Sequence, residues 1–375
     1  MVWVRFYRFY DLRFKFPVGA VYIMAMFVMT RTLMSIAAVL SHFLKGDGIC
    51  SLSSFLNIWT VWESFWYLGI ASDGYSAAAG SYDVAGYAFF PLYPGLIRLL
   101  AGFTGSPVVA GLIISNVSIL IASLYLYKLV RLESGKGVAL RSIKYMFLFP
   151  GAFILSAVLA ESLFLAIAIS CFYYAKKGNW YFVGVLGFLA SLSQPTGVIV
   201  FLPVVYEYLK VRGFNADLIR FDVIYLLMIP AGILLYALLN LNLAGDPLAF
   251  VHAQAGWGAM LSPPPVELMG RYVTGSVSIL FGAVFTAACI AFLLLCYRDI
   301  NFSMWLYSML FILIPLSTPS LKWSMARYLL VLFPMFIIMA KRCNNKIVDI
   351  PVTLALFALQ WLLMTVWMIW PSFIV

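Results

Sequence analysis

The chain has 375 residues, of which 64% are hydrophobic and only 10% charged, with a net charge of +10. A soluble globular chain is nearer half apolar, so these proportions exclude one. Apolar runs of roughly 20 residues match the ~30 Å hydrocarbon core of a bilayer, and they lack the period-2 alternation of a membrane barrel. The expected fold is therefore an all-α polytopic membrane protein forming one integral-membrane domain over 1–375.

The basic N-terminal segment precedes a first apolar run at 17–42, longer than a signal peptide and predicted to be a retained helix with its N-terminus cytoplasmic. A long outer segment follows, 43–107. Within it Phe55–Ser72 reads as one interfacial helix, with Trp59, Trp62 and Trp66 on one flank in the headgroup belt, and with Asp73-Gly74 as its stop. The aromatic residues Tyr87, Phe89, Phe90 and Tyr93, set by Pro91 and Pro94, are expected to line a lipid or sugar groove or to anchor in the interface. A helix at 108–130 leads to a basic cluster. The run 142–175 is too long for one span and is predicted to be a hairpin turning near 157–161. The run 179–209 reads as a second pair, broken at SQPTG (193–197). A helix at 221–243 leads to a second outer loop, 244–273. There Asp246-Pro247 marks a helix start for a short outer helix ending near Gly256. Helices at 274–297, 301–316, 324–340 and 348–370 bring the count to eleven spans.

Lys and Arg sit between these runs. Eighteen of the 24 fall in clusters at 5–15, 128–144, 176–177, 210–220, 298 and 341–346. Every second connection is basic, the positive-inside pattern, so the charge reports orientation and implies no nucleic-acid partner. The five cysteines show no paired spacing, which argues against a disulfide framework or a metal site. No internal repeat is visible, which weakens a repeat-built transporter reading.

Motifs of soluble nucleotide-, zinc- or serine-dependent enzymes are absent. What remains is carboxylates and a few cations on the outer side. A carboxylate there can serve as general base toward a hydroxyl, and an Arg or Lys can hold a departing phosphate. That combination suits glycosyl transfer from a lipid-phosphate sugar, with no cofactor.

Six segments in order carry a resemblance to a known family. WESFWYLGIASDGYS (62–76), with YAFFPLYPGLIRLL (87–100), looks like the outer-loop signature of the PIG-V type mannosyltransferases, a branch of the GT-C superfamily. The others are FPGAFILSAVLAESLFLAIA (149–168), LASLSQPTGVIVFLPVVYEYL (189–209), GDPLAFVHAQAGWG (245–258) and SMARYLLVLFPMF (324–336). The resemblance implies an inverting transferase facing away from the cytosol. Its donor would be mannose on dolichyl or polyprenyl phosphate, its acceptor a glycan or glycolipid, and it would need no metal. Two positions depart from the family pattern: Glu63 stands where it usually has Asp, and Gln194 where an Arg precedes the Pro-Thr-Gly turn.

On this reading Glu63 is the candidate general base, against a plain headgroup-level acid. Arg327, Lys322 and Arg31 are candidate donor-phosphate cations. Arg327 could instead snorkel to headgroups, and Arg31, midway along helix 1, could instead pair with Glu161 inside the membrane. Candidate acceptor or sugar contacts are Asp73, Glu161, Asp246, His252, Gln254, Trp62 and Tyr93. For Asp73 a helix stop, for Glu161 a helix-start acid and for Asp246 an N-cap are the competing roles. The expected host is a prokaryotic cytoplasmic membrane with the site outside. The alternatives are a GT-C transferase for another polyprenyl-linked sugar and a transporter of lipid or glycan.

Overall fold

A computed structural model describes residues 18–45, 51–75, 85–256, 277–317 and 325–369. Among them there is no strand. The helices are α1 (Val18–Lys45), α2 (Leu52–Asn57), α3 (Ser64–Asp73), α4 (Leu92–Thr104), α5 (Pro107–Leu148), α6 (Glu161–Lys176), α7 (Trp180–Ser193) and α8 (Phe201–Val211). They continue as α9 (Met228–Ala244), α10 (Ala249–Gly256), α11 (Val277–Leu295), α12 (Phe302–Leu316), α13 (Met325–Tyr328), α14 (Phe333–Arg342) and α15 (Lys346–Ile369). Among the described residues, four stretches are long and apolar enough to cross a membrane: Gly19–Phe43, Pro107–Leu148, Phe221–Ala244 and Lys346–Ile369.

Breaks fall where backbone chemistry demands them. α5 runs past the predicted end at 130 and breaks at Gly135, whose φ of 82° is open to glycine at little cost. The predicted hairpin then forms from the second half of α5, a turn holding a 3₁₀ segment (Ala152–Ser156), and α6. The pair predicted over 179–209 breaks at Gln194, as the following Pro195 requires. The span predicted over 324–340 is discontinuous. A 3₁₀ turn (Leu329–Val331) follows α13, and Leu332 leaves helical geometry immediately before α14, which carries Pro334 in its first turn. The helix predicted over 221–243 opens as a 3₁₀ segment, Phe221–Leu227.

The 55–72 helix is the clearest correction. α2 and α3 are separate, and Trp62 between them has a φ of 52°, a region that a bulky residue enters only at a cost. Trp59, Trp62 and Trp66 therefore do not share one helical flank. Trp59 is buried, the Trp62 ring packs at 4.2 Å on Trp367, and Trp66 stacks at 5.6 Å on Phe89.

In lipid, helices associate through small residues that let backbones approach. A Cβ on Gly184 would lie 2.3 Å from the Tyr225 carbonyl oxygen, and one on Gly187 2.3 Å from Ile229. From the other side, a Cβ on Gly232 would meet the Phe188 carbonyl at 2.7 Å. These three glycines set the distance between α7 and the 221–244 segment. Gly184→Ala is expected to destabilise the chain by about 1–3 kcal/mol, as overpacking does, read as a lower thermal midpoint in detergent.

The basic connections meet at one end of the bundle. Lys176 pairs with Glu133 (3.2 Å) and Glu207 (2.6 Å), and Ser303 and Asn301 donate to the same two acids. Nearby in sequence order, Arg342 reaches Asp299 at 2.5 Å and Arg141 donates to the Ala340 carbonyl at 2.9 Å. The acidic residues of 58–64 and 157–161 belong to the opposite end.

Candidate active site

Two turns build that opposite end, and three hydrogen bonds hold them. Val158 N–H donates to the Trp59 carbonyl at 2.9 Å. Ser64 Oγ donates to the Val158 carbonyl, also at 2.9 Å, and Ser64 N–H closes the turn on Val61 at 3.0 Å. Glu63 leads into α3 and Glu161 is the first residue of α6, so this stitch sets the two carboxylates side by side. Arg327 arrives from α13, whose 3₁₀ continuation is held by Tyr307 Oη donating to the Val331 carbonyl at 3.0 Å.

Arg327 lies between the two acids. Its Nη1 and Nη2 donate to Glu63 Oε2 and Oε1 in a forked pair, the second at 2.6 Å. Its Nε stands 2.7 Å from Glu161 Oε1, a close charge contact outside hydrogen-bond alignment. The Arg327 and Glu161 side chains are 8% and 9% exposed, whereas Glu63 keeps 22%. Of the two acids, then, Glu63 is the one open to an arriving molecule. Burial pushes the Glu63 carboxyl up, but the charge and hydrogen bonds of Arg327 outweigh it and hold the group below the ordinary carboxylate value. Two acids against one cation leave the array formally one charge negative.

Arg31 is not the partner of Glu161. It donates from Nη1 to the Ala152 carbonyl at 3.0 Å, and its guanidinium lies near the Phe27 and Phe147 rings. In place of the alternative pair with Glu161, the cation grips the turn that leads to Glu161. Gln360 of α15 holds the end of α5 that enters this turn, donating to the Phe147 carbonyl at 3.1 Å.

The remaining candidates separate. Asp73 is the exposed last residue of α3, where Gly74 turns the chain with a φ of 85° and donates to the Ile70 carbonyl. Asp246 accepts from Leu248 N–H at 2.9 Å and meets His252 Nδ1 at 2.6 Å. These bonds, the backbone one first, hold its carboxyl below the usual value. Gln254 is half-buried on the same helix, α10. Asp246→Ala is expected to speed amide exchange across 248–252 while leaving α6 unchanged, as hydrogen-exchange mass spectrometry would read.

Tyr93 is fully buried, its hydroxyl 2.7 Å from Ser115 Oγ and donating to the Gly111 carbonyl. Tyr87, Phe89 and Phe90 are buried as well. The supposed groove wall is thus a packed core. Tyr236 Oη anchors it to the Tyr87 and Phe89 carbonyls, and Phe250 of α10 packs on Phe90. Gln194 is buried at the break after α7. Lys322 and residues 257–273 of the second outer loop lie outside the described residues.

Tyr67 was missed from sequence. One turn beyond Glu63 on α3, it is buried and within electrostatic reach of Glu63, Glu161 and Arg327. Its i+4 spacing from Glu63 was the available signal.

No protein-family model matches this chain, and no curated protein matches it in sequence.

Proposed function

We propose that the chain is an integral-membrane, inverting glycosyltransferase of GT-C type. It crosses the membrane eleven times and moves mannose from a dolichyl or polyprenyl phosphate to a glycan or lipid-linked acceptor. The observation that carries this reading is the Glu63–Arg327–Glu161 array, at the end of the bundle opposite the basic connections. A forked guanidinium matches phosphate as well as carboxylate, and a carboxylate beside it supplies the base that such a transfer needs.

At rest the base and the cation neutralise each other. The donor phosphate takes the Arg327 fork from Glu63, while Glu161 keeps its contact at Nε and orients the guanidinium. Glu63, freed, accepts the proton of the acceptor hydroxyl. The acceptor oxygen bonds to sugar C1 as the bond from C1 to the phosphate oxygen breaks on the opposite face. The electron pair leaves on the lipid phosphate, beside Arg327. A β-linked donor gives an α-mannoside. The positive-inside rule supports a cytoplasmic basic end and hence an outward-facing array, and the host membrane in this reading is a prokaryotic cytoplasmic membrane.

The test is incubation of purified protein with labelled mannosyl polyprenyl phosphate and a mannoside acceptor. A labelled α-mannoside is the expected product. Movement of the intact labelled lipid across vesicles, with no new glycosidic bond, would establish a transporter instead.

A further inference from the structure

Tyr67 and Glu161 reach the array from separate elements and do not bond to each other. Tyr67 follows Glu63 by one turn of α3, and its buried ring is fixed edge-on by Phe89 at 5.2 Å and Tyr93 at 5.0 Å. Tyr93 is itself pinned. Its hydroxyl is 2.7 Å from Ser115 Oγ, which donates to the Leu159 carbonyl at 3.4 Å. The wall that clamps the Tyr67 ring therefore also holds the turn that delivers Glu161. A tyrosine oxygen lies on the ring axis, so fixing the ring fixes the oxygen.

Each of the two carries an unused hydrogen-bonding group. Glu161 spends Oε1 on the 2.7 Å contact with Arg327 Nε, while its Oε2 is buried without a partner. A bare buried carboxylate oxygen is costly and uncommon. The Tyr67 hydroxyl makes no hydrogen bond among the described residues. Burial, then the charges of Glu161 and Glu63, push its phenol up, so it keeps a proton to donate. A fixed donor thus feels the charge of a bare acceptor without bonding it. One oxygen that accepts from Tyr67 and donates to Glu161 satisfies both, and a hydroxyl has that capacity.

We propose that Tyr67 Oη and Glu161 Oε2 form a subsite for one hydroxyl of the donor sugar, the hydroxyl on the carbon next to C1. The proposal rests on the reading above, in which a mannosyl lipid phosphate takes the Arg327 fork. Glu161 meets Arg327 at Nε, beside the two nitrogens of that fork, so its bare oxygen serves the end of the sugar that carries the phosphate. Two ring atoms adjoin C1 there. One is the ring oxygen, which has no hydrogen to give Glu161. The other is C2, whose hydroxyl can accept from Tyr67 and donate to Glu161 at once. Glu63 stays free for the acceptor.

The full chain, purified in detergent, is titrated without acceptor with mannosyl polyprenyl phosphate and with its 2-deoxy analogue, and binding is followed by tryptophan fluorescence. The wild-type chain is expected to bind the mannosyl lipid at least about tenfold more tightly than the analogue. Tyr67→Phe removes the hydroxyl and keeps the ring. It is expected to weaken the mannosyl lipid about tenfold and to leave the 2-deoxy lipid within about twofold. Equal loss for both lipids, the mark of a site that holds only water, or no loss for either would overturn the proposal. Should that variant elute aggregated, the wild-type comparison decides alone, and equal affinities overturn it. Selective binding with no mannose transferred keeps the subsite and removes the transferase reading. Transfer without selectivity does the reverse, and a chain that binds neither lipid overturns both.

Discussion

Glu63→Gln is expected to lower sugar transfer by about 10²–10⁴-fold, the range a general base contributes, while the chain stays folded. Glutamine keeps the shape of the side chain and one carbonyl oxygen toward Arg327. It removes one of two carboxylates sharing a single guanidinium, so the array becomes neutral. Arg327 keeps its contact with Glu161, and no buried charge is left alone. Transfer rate and thermal midpoint should therefore part company. Glu63→Asp tests the same point differently: the shorter arm still delivers a carboxylate, and measurable transfer is expected. A fully active Gln variant removes Glu63 from the chemistry.

Arg327→Ala is expected to damage the fold as well as the activity. Removing one partner of a buried ion pair costs about 3–5 kcal/mol, because the other charge stays behind, and here two carboxylates would stay behind. The expected outcome is a large fall in thermal midpoint and in yield, together with lost transfer. Arg327→Lys separates the roles. It keeps a positive charge between Glu63 and Glu161, but a point charge cannot fork onto a carboxylate or a phosphate. A chain near wild-type stability with a much raised KM for the lipid-phosphate donor supports phosphate holding. Unchanged donor kinetics in the Lys variant would leave Arg327 a purely structural ion.

The contrast between these variants follows from which links were legible in the sequence. Breaks governed by local chemistry were. Pro195 ends α7 at Gln194, Asp246 opens the turn into α10, and the 142–175 run folds back on itself. Glu63, Glu161 and Arg327 were each singled out as polar groups in apolar surroundings. Their meeting was not legible, since Glu63 and Arg327 are 264 residues apart and nothing local pairs them. The same limit applies to Arg31, for which a pair with Glu161 and a donor-phosphate role stood as alternatives. A charge midway along an apolar helix calls for a partner, and that partner is a backbone carbonyl of the 149–160 turn, which no side-chain pattern marks.

The single helix expected over 55–72 failed for a related reason. Its residues offer no Pro or Gly before Gly69, so propensity favours continuity. Tertiary bonds override it, those from Val158 to Trp59 and from Ser64 to Val158. The break turns Glu63 toward Arg327 and puts Trp62 into a costly conformation braced by Trp367. At this break the candidate base is the next residue.

Whether Arg327 exchanges Glu63 for a donor phosphate can be read in a structure with bound mannosyl polyprenyl phosphate. Both Arg327 terminal nitrogens are expected within ~3 Å of phosphate oxygens, with Glu63 released and facing the approach to sugar C1. A bound donor with the Glu63–Arg327 fork intact and the phosphate held elsewhere would contradict it.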